Sequence, residues 1–391
     1  PGLIDTHAHG AQGVRGIIPE QGWPNQAQLA MGVTTTHDPS NDANTIFAAS
    51  EMVKAGEIVG PRTFSTGTIL YGAAGHYHAE INSIDDAKFH LERMKALGAW
   101  SVKSYNQPRR DQRQQVIAAA RELGMMVVPE GGSTQMHNMT MVVDGHTGIE
   151  HTLPVAMVYD DVKDLWKGQP VGYTPTLNVA YGGLGGENYW YDKTEVWRNP
   201  RVTTFVPMTV VEPRSRRRTT APEEDYNHVR QAELAKTLYD LGVSVHTGGH
   251  GQLPGICTHW ELWGFVQGGM HPMEALRCGT ILGATYLGLD KDLGSLEVGK
   301  LADMIVFQPG KDPTTNIRES EFIRYTIANG RVFDATTMNR VERDGVQPRE
   351  PYFFEMPGAG AAGAPVPSDA FGEAGCHGCG RPGLGVSLLQ P

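Results

Sequence analysis

The sequence predicts an α/β fold, specifically a (β/α)₈ barrel, from two observations. Short apolar runs typical of strands alternate eight times with helical runs between residues 3 and 267. Repeated strand–helix units imply a parallel sheet, and eight units in succession close into a barrel. The first strand also lacks the glycine-rich phosphate loop that an open, doubly wound sheet would carry after it. A chain of 391 residues, 40% of them hydrophobic, is long enough to fill such a core.

The eight units follow one another in order, and we assign residues 1–284 to the barrel. The predicted strands are residues 3–9, 33–37, 63–70, 100–105, 125–129, 148–151, 171–179 and 243–247. The helical runs that follow them are residues 26–31, 43–55, 85–97, 111–123, 138–143, 158–166, 223–241 and 260–267. A long insertion follows the seventh strand. Its glycine-rich part, residues 181–191, is expected to form either a lid over the site or a flexible surface loop.

Polar side chains stand at the ends of several predicted strands. His7 and His9 lie two residues apart at the end of the first strand, so they face the same side. Neutral imidazole binds zinc and similar divalent metals. The other strand-end residues are Lys103, Glu130, His151 and His250. Because the carboxyl ends of barrel strands meet at one mouth, where active sites lie, these residues predict one shared site.

Composition excludes some classes of function. The net charge of −10 argues against general nucleic-acid binding, and no apolar run reaches membrane-spanning length. Four cysteines are too few for a disulfide framework, and Cys257 and Cys278 are predicted to be buried thiols. The basic run from Arg214 to Arg218 is predicted to be a solvated loop.

The pattern and composition of the sequence change after the barrel. Residues 285–345 contain short strand-like runs, with a hairpin whose turn is Asn329-Gly330. Alanine, glycine and proline dominate residues 346–391, and this tail is expected to be mostly disordered.

Several motifs resemble the amidohydrolase superfamily. They are Pro-Gly-Leu-Ile-Asp-Thr-His-Ala-His at 1–9, Val-Lys-Ser-Tyr around Lys103, Glu-His at 150–151, and Gly-Ser-Leu-Glu-Val-Gly-Lys-Leu-Ala-Asp-Met-Ile-Val at 294–306. The resemblance covers roughly residues 1–335 and is greatest to the imidazolonepropionase-like and prolidase-like branch. Within that branch, residues 145–151 and 250–252 resemble members fused behind a TolB-like β-propeller.

The resemblance implies a metal-dependent hydrolase built on a (β/α)₈ barrel with a small β-sandwich. Such a sandwich is built from both ends of the chain, so residues 285–345 would be its C-terminal half, and the sandwich here is expected to be incomplete. Exposed apolar strand edges would then be an aggregation hazard. An upstream propeller domain is also implied, which favours an exported or periplasmic location over a cytoplasmic one. The sequence is compatible with a homo-oligomer.

Four of the strand-end residues match the superfamily's ligand pattern. His7 and His9 match the first-strand ligands, and His151 matches the sixth-strand ligand. Lys103 matches a lysine that in this superfamily is often carboxylated and bridges two metals. An unmodified ammonium group has no acceptor atom and cannot be a ligand.

Two positions depart from that pattern. Glu130 stands where a histidine is usual, so it is expected to be either a metal ligand or the catalytic base. His250 stands where an aspartate is usual, and it is expected to move the proton to the leaving group. His246, the nearby alternative, is expected to be a packed histidine.

The sequence therefore predicts a metal-dependent amidohydrolase that acts on a C–N bond in an amide, a cyclic amide or a small peptide. Water activated by one or two metal ions would attack the small-molecule substrate. Zn²⁺ is the expected metal, with Mn²⁺ or Fe²⁺ as alternatives. The predicted substrate contacts are His76, Tyr105 and Gln252. Two alternatives stay open: a lactone or ester hydrolase on the same barrel, and a catalytically inactive binding barrel, which the missing eighth-strand aspartate favours.

Overall fold

A computed structural model describes residues 1–13, 16–74 and 78–341. The strands of the first part of the chain are β1 (Leu3–Asp5), β2 (Val33–Asp38), β3 (Arg62–Ser65), β4 (Leu70–Tyr71), β5 (Ser101–Tyr105), β6 (Met126–Pro129), β7 (Gly148–Glu150) and β8 (Gly172–Thr174). Each pairs in parallel with its neighbour, in the orders β1-β2-β3, β4-β5-β6 and β7-β8. This arrangement is the parallel sheet that the alternating sequence pattern predicts.

β8 is the seventh strand of the barrel, because β3 and β4 are two pieces of one predicted strand. Residues 243–247 close the barrel as an irregular eighth strand. On one side the Tyr173 amide donates to the carbonyl of Ser244 at 2.8 Å, and His246 donates back to Tyr173 at 3.0 Å. On the other side the Thr6 amide donates to the carbonyl of Thr247 at 3.0 Å. The segment is joined to β8 by an isolated bridge between Tyr173 and Val245, so it is held less regularly than the other strands.

The predicted third strand, residues 63–70, is broken into two pieces. β3 pairs with β2, whereas β4 pairs with β5. Gly67, between the two pieces, has a φ of 63°, which turns the backbone out of the extended region. One continuous strand was therefore the wrong prediction, although the two pieces lie at the two ends of the predicted range.

The helices that follow the strands cover the barrel. They are α1 (Trp23–Ala30), α2 (Ala43–Ala55), α3 (Ile84–Ala96), α4 (Arg110–Leu123), α5 (Gln135–Asp144), α6 (Asp160–Trp166), α7 (Gly186–Lys193), α8 (Pro200–Phe205), α9 (Met208–Arg216), α10 (His228–Asp240), α11 (Ile256–Gln267), α12 (Pro272–Cys278) and α13 (Ile281–Tyr286). The ends of α2 match the prediction because both caps are encoded locally. Asp42 accepts a hydrogen bond from the Thr45 amide, and Gly56 ends the helix in the left-handed conformation.

The insertion after β8 is more ordered than its glycine content suggests. Within residues 181–191, predicted as a lid or a flexible loop, α7 begins at Gly186, and Trp190 and Tyr191 are buried. The prediction of a solvated loop for the basic run was wrong in part, because α9 continues as far as Arg216. Arg214 pairs with Glu187 of α7 at 3.1 Å, which gives this part of the run a structural partner.

A small antiparallel sheet follows the barrel, in the order β11-β10-β9. Its strands are β9 (Met304–Phe307), β10 (Ile323–Ala328) and β11 (Arg331–Asp334). Asn329 and Gly330 have φ values of 50° and 75°, as a tight hairpin turn requires, so the predicted hairpin is confirmed. Arg62 pairs with Asp303 at 2.7 Å and ties the barrel to this sheet. The predicted tail, residues 346–391, lies outside the described residues.

His259 links α11 to two other parts of the chain. Its Nε2 donates to the carbonyl of Met31 at 2.9 Å, and its Nδ1 pairs with Ser320 Oγ at 2.9 Å. The ring is fully buried, and burial lowers the pKa of His259 to about 4. The two cysteines predicted to be buried thiols, Cys257 and Cys278, are buried and free.

We expect His259 to make the protein sensitive to acid. Its ordinary pKa is near 6.5, so between about pH 6.5 and 4 the unfolded chain binds a proton that the native state does not. The free energy of unfolding should therefore fall as the pH is lowered through that interval. His259→Leu should reduce this pH dependence and cost about 2 kcal/mol at pH 7.5, because the Met31 carbonyl loses its donor.

Urea unfolding at pH 7.5 and pH 5 measures both effects. His271→Ser is the matched control, because His271 is exposed and serine can keep its capping of α12. An unchanged difference in stability between the two pH values in His259→Leu would show that this histidine is not responsible.

Candidate active site

Four imidazole rings meet at the carboxyl ends of the barrel strands. The ring centroid of His7 lies 5.0 Å from that of His9, 4.9 Å from that of His151 and 5.2 Å from that of His250. The centroid of His250 lies 4.9 Å from that of His9 and 5.0 Å from that of His151. These residues are up to 243 positions apart in the sequence, and closure of the barrel brings them together.

Three of the four rings present a group of atoms that fits a metal ion. One ring nitrogen from each of His7, His151 and His250 lies within 4.8 Å of the other two. The Nε2 atoms of His7 and His9 are buried, and neither has a hydrogen-bond partner among the residues that the structure describes. Burial holds the pKa of His7 well below its usual value, so this imidazole stays neutral and keeps its lone pair.

His7 is oriented from behind by Glu150. Its Nδ1 donates to Glu150 Oε2 at 2.7 Å, and the hydroxyl of Tyr286 donates to Glu150 Oε1 at 2.8 Å. Since the carboxylate holds the proton on Nδ1, the lone pair of His7 is on Nε2, which faces the other rings. Burial raises the pKa of Glu150 to about 7, although the bond from Tyr286 opposes this shift.

The three other rings are held in a similar way. His9 Nδ1 donates to Asp38 Oδ1 at 3.0 Å, and His250 Nδ1 donates to Gln252 Oε1 at 2.9 Å. His151 Nδ1 pairs with Thr176 Oγ1 at 2.9 Å. Partners of this kind fix the tautomer and the orientation of metal-binding histidines. These hydrogen bonds therefore fix the orientation in which the rings point into the barrel mouth.

The backbone is strained at two of the four histidines. His151 has a φ of 70° and His250 a φ of 64°, values that residues with a Cβ adopt at a cost of about 1–3 kcal/mol. Hydrogen bonds compensate for this cost: the His151 amide donates to Thr174 O at 2.9 Å, and the His250 amide donates to His7 O at 2.7 Å. The left-handed turn ends each strand and directs the imidazole toward the mouth.

Lys103 and Glu130 form a buried pair beside the histidines. Lys103 Nζ lies 2.6 Å from Glu130 Oε2, and both side chains are 1% exposed. Glu130 Oε1 lies 3.7 Å from His151 Nε2. The ammonium group of Lys103 also lies 5.1 Å from the ring centroid of Tyr105, within cation–π range. The pair thus lines the edge of the histidine group.

Asp5 supports the group from below. The Gly249 amide donates to its two carboxylate oxygens at 3.0 and 3.1 Å, the Thr258 hydroxyl donates at 2.6 Å, and the His7 amide donates at 3.1 Å. Burial raises the pKa of Asp5 to about 6 against the effect of these bonds. Asp5 therefore ties the turn that carries His250 to the strand end that carries His7.

The structure brings most of the predicted site residues together. The residues gathered at the mouth are His7, His9, Lys103, Tyr105, Glu130, His151, His250 and Gln252. His76 lies outside the described residues. His246 is packed, as predicted, with its ring stacked on Tyr286 at a centroid distance of 4.1 Å.

Sequence reasoning missed the residues that hold the four histidines from outside. They are Asp5, Asp38, Glu150, Thr176 and Tyr286. Asp38 ends β2 and Glu150 ends β7, so the strand-end rule that selected the histidines could also have selected these two acids. No comparable sequence signal marks Thr176 or Tyr286.

Glu150→Gln should weaken metal binding by about 10–100-fold, the usual effect of losing a partner that orients a ligand. His7 and Tyr286 donate to different oxygens of Glu150, and a glutamine keeps only one of these two oxygens, so one of the two bonds is lost. The dissociation constant for Zn²⁺, measured by competition with a chelating dye, tests this prediction. Tyr286→Phe is the matched control, because it leaves the bond between Glu150 and His7 in place and should have a smaller effect. Equal affinities in Glu150→Gln and the unaltered protein would contradict the proposed orientation.

The fold and the site together define a (β/α)₈ barrel with four histidines gathered at its mouth, three of which could hold a metal ion. The sequence matches the amidohydrolase family over residues 1–333, and the chain belongs to that family. The prediction of an amidohydrolase barrel is thereby confirmed. No helix in the described part of the chain is both long enough and apolar enough to cross a membrane.

Solved structures share this fold at low sequence identity. A Xaa-Pro dipeptidase is 20% identical with a TM-score of 0.63, covering 85% of this chain and 86% of that one. The ochratoxinase of A. niger is 16% identical with a TM-score of 0.63, covering 85% and 82%. A molinate hydrolase is 16% identical with a TM-score of 0.63, covering 90% and 86%.

One curated relative matches over a short stretch. An imidazolonepropionase from Symbiobacterium thermophilum is 35% identical over 77 residues, which is 18% of this chain and 18% of that protein. The match covers too little of either protein to carry an activity across.

Proposed function

We propose that this protein is a metal-dependent amidohydrolase that hydrolyses a C–N bond in an amide, a cyclic amide or a small peptide. The observation that carries the proposal is the convergence of ring nitrogens from His7, His151 and His250 within 4.8 Å. The buried Nε2 atoms of His7 and His9, which have no hydrogen-bond partner in the described part of the chain, support it, because a buried polar atom without a partner is costly unless a ligand binds it.

The residues that would hold the metal are His7, His151 and His250, whose ligand nitrogens lie within 4.8 Å of one another, and His9 lies beside them. Three imidazoles are a common ligand set for catalytic zinc, which keeps a further position open. A nitrogen-rich donor set favours Zn²⁺, with Mn²⁺ or Fe²⁺ as alternatives. When bound, such a metal lowers the pKa of water and polarises the carbonyl group of the substrate.

We assign proton transfer to Glu130 rather than to His250. His250 Nδ1 is engaged with Gln252, and its ring belongs to the ligand group. Glu130 Oε1 lies 3.7 Å from His151 Nε2, at the edge of that group, while Lys103 holds the other oxygen. Glu130 would accept the proton of the attacking water at Oε1 and return it to the leaving nitrogen. Tyr105 and Gln252 are proposed to line the substrate pocket.

The family and its structural relatives support this choice of reaction. The similar proteins include an Xaa-Pro dipeptidase and a molinate hydrolase. We therefore place dipeptides with a C-terminal proline and simple tertiary amides first among the substrates to be tested. An upstream propeller, a homo-oligomer and export stay predictions from the sequence.

Elemental analysis followed by a substrate panel tests the proposal. The protein is purified without chelators, reconstituted with Zn²⁺, Mn²⁺ or Fe²⁺, and assayed on dipeptides, amides, cyclic amides and lactones. We expect bound metal and amide hydrolysis that chelation removes and metal restores. Lactone hydrolysis alone would identify an esterase on the same barrel, and absence of metal after reconstitution would identify a binding barrel.

A further inference from the structure

We propose that the centre holds one metal ion rather than two, and that Lys103 is an unmodified ammonium whose task is to position Glu130. This inference rests on the proposed function and deepens it. It departs from the sequence-based expectation that Lys103 is carboxylated and bridges two metals. The number of metal ions depends on whether the mouth of the barrel offers enough ligand atoms for a second ion.

Three of the four histidines belong to one ligand group. The ligand nitrogen of His151 lies within 4.8 Å of those of both His7 and His250. His9 stands beside the same group, with its ring centroid 5.0 Å from that of His7 and 4.9 Å from that of His250. One metal can therefore bind the three grouped imidazoles, and His9 lies beside them.

The acids around the cluster are already in use. Glu150 accepts from His7, Asp38 accepts from His9, and Asp5 accepts from backbone amides below the cluster. Each of them binds the outer side of the ligand group. In the described part of the chain, Glu130 is the carboxylate left at the inner edge, and a single carboxylate is too few ligands for a second divalent ion.

The surroundings of Lys103 favour a positive charge. Its Nζ contacts Glu130 Oε2 at 2.6 Å and lies 5.1 Å from the ring centroid of Tyr105. An ion pair and a cation–π contact both require the ammonium form. Carboxylation would need the neutral amine to add CO₂ and release a proton. The product would place a second anion next to Glu130 in a site that is 1% exposed, which is unfavourable without a second metal.

Lys103 is consequently a positioning residue. Its contact with Oε2 leaves Glu130 Oε1 directed toward the histidine group, 3.7 Å from His151 Nε2. The replacement of the usual fifth-strand histidine by Glu130 and the presence of Lys103 then have one common explanation: together they form a fixed, charge-balanced pair beside a single metal.

Metal counting and isotope labelling test the inference on the full chain. The protein is loaded with excess Zn²⁺ in ¹³C-labelled bicarbonate and desalted. Zinc is then counted by mass spectrometry, and the ¹³C spectrum is recorded. We expect about one zinc ion per chain and no labelled carbamate carbon. Two zinc ions together with a carbamate signal would overturn the inference while leaving the proposed function intact, whereas no zinc at all would overturn the proposed function itself.

Substitutions at Lys103 supply a second readout. Arginine cannot be carboxylated but keeps the charge, so Lys103→Arg should keep one zinc ion, and loss of zinc from this variant alone would overturn the inference. Lys103→Met should lower kcat by about 10²-fold while KM and zinc content stay close to those of the unaltered protein, because Glu130 loses the contact that directs its Oε1 toward the histidine group, and Lys103→Arg should recover most of that loss. An unchanged kcat in Lys103→Met would remove the positioning role. Lys163→Arg, at a partly exposed lysine paired with Asp160, is the control. If Lys103→Arg and Lys103→Met do not fold, the zinc count and the ¹³C labelling of the unaltered protein still decide between one metal ion and two.

Discussion

A protein in which both His7 and His9 are replaced by alanine will bind no stoichiometric divalent metal and will lose hydrolysis by more than about 10³-fold. The change removes two of the four imidazoles and with them both buried Nε2 atoms that lack a partner among the described residues. It also leaves Glu150 and Asp38 without the ring nitrogens that donate to them. Metal content by mass spectrometry and a circular dichroism spectrum, which shows whether the barrel has folded, are the two measurements.

His228→Gln is the control for that double variant. His228 is a buried histidine that pairs with Gln267 at 3.0 Å in another part of the barrel wall, so it should keep its metal. If the folded double variant keeps a full equivalent of metal, the ion binds elsewhere and the site described here is not the metal centre.

Asp5→Ala should lower the free energy of unfolding by about 3–5 kcal/mol, because it leaves buried donors without an acceptor. The donors are the amides of His7 and Gly249 and the hydroxyl of Thr258. The same change frees the turn that carries His250, so metal affinity should fall by about 10–100-fold. Urea unfolding and a zinc titration measure the two effects separately.

Asp160→Ala is the matched control, because Asp160 is 91% exposed and its ion pair contributes little. A loss of less than 1 kcal/mol in Asp5→Ala would show that the surrounding groups find other partners and that Asp5 does not tie the two strand ends together.

The sequence predicts the architecture well because a barrel is encoded by simple repetition. The alternation of strands and helices, the cap residues of α2 and the Asn329-Gly330 turn are local signals, and each has its expected structure. The break at Gly67 and the irregular eighth strand depend on how the barrel closes. That is a property of distant segments, which no local pattern records.

The residues of the candidate site also fall into two groups: those that the sequence reveals and those that it does not. Its inner residues could be found because they stand at strand ends and have ligand chemistry, as with His151 and Glu130. Its outer residues could not, because their role depends on which side chain lies behind which ring. Tyr286 is an example: it reaches Glu150 from a helix 136 residues further along the chain.

The last seam of the barrel, along the irregular eighth strand, is held by isolated bridges rather than by a regular ladder. His250 sits at this seam, joined to the first strand by the Ala8–His250 bridge, and its ring faces His7 and His151 on two other strands. A metal ion bound by these rings would link the eighth strand to the first strand. Part of the free energy of metal binding would therefore stabilise the closed barrel. We therefore expect amide hydrogens along residues 243–250 to exchange with solvent far more slowly in the metal-bound protein than in the metal-free protein. The ion would then stabilise the fold in addition to taking part in hydrolysis.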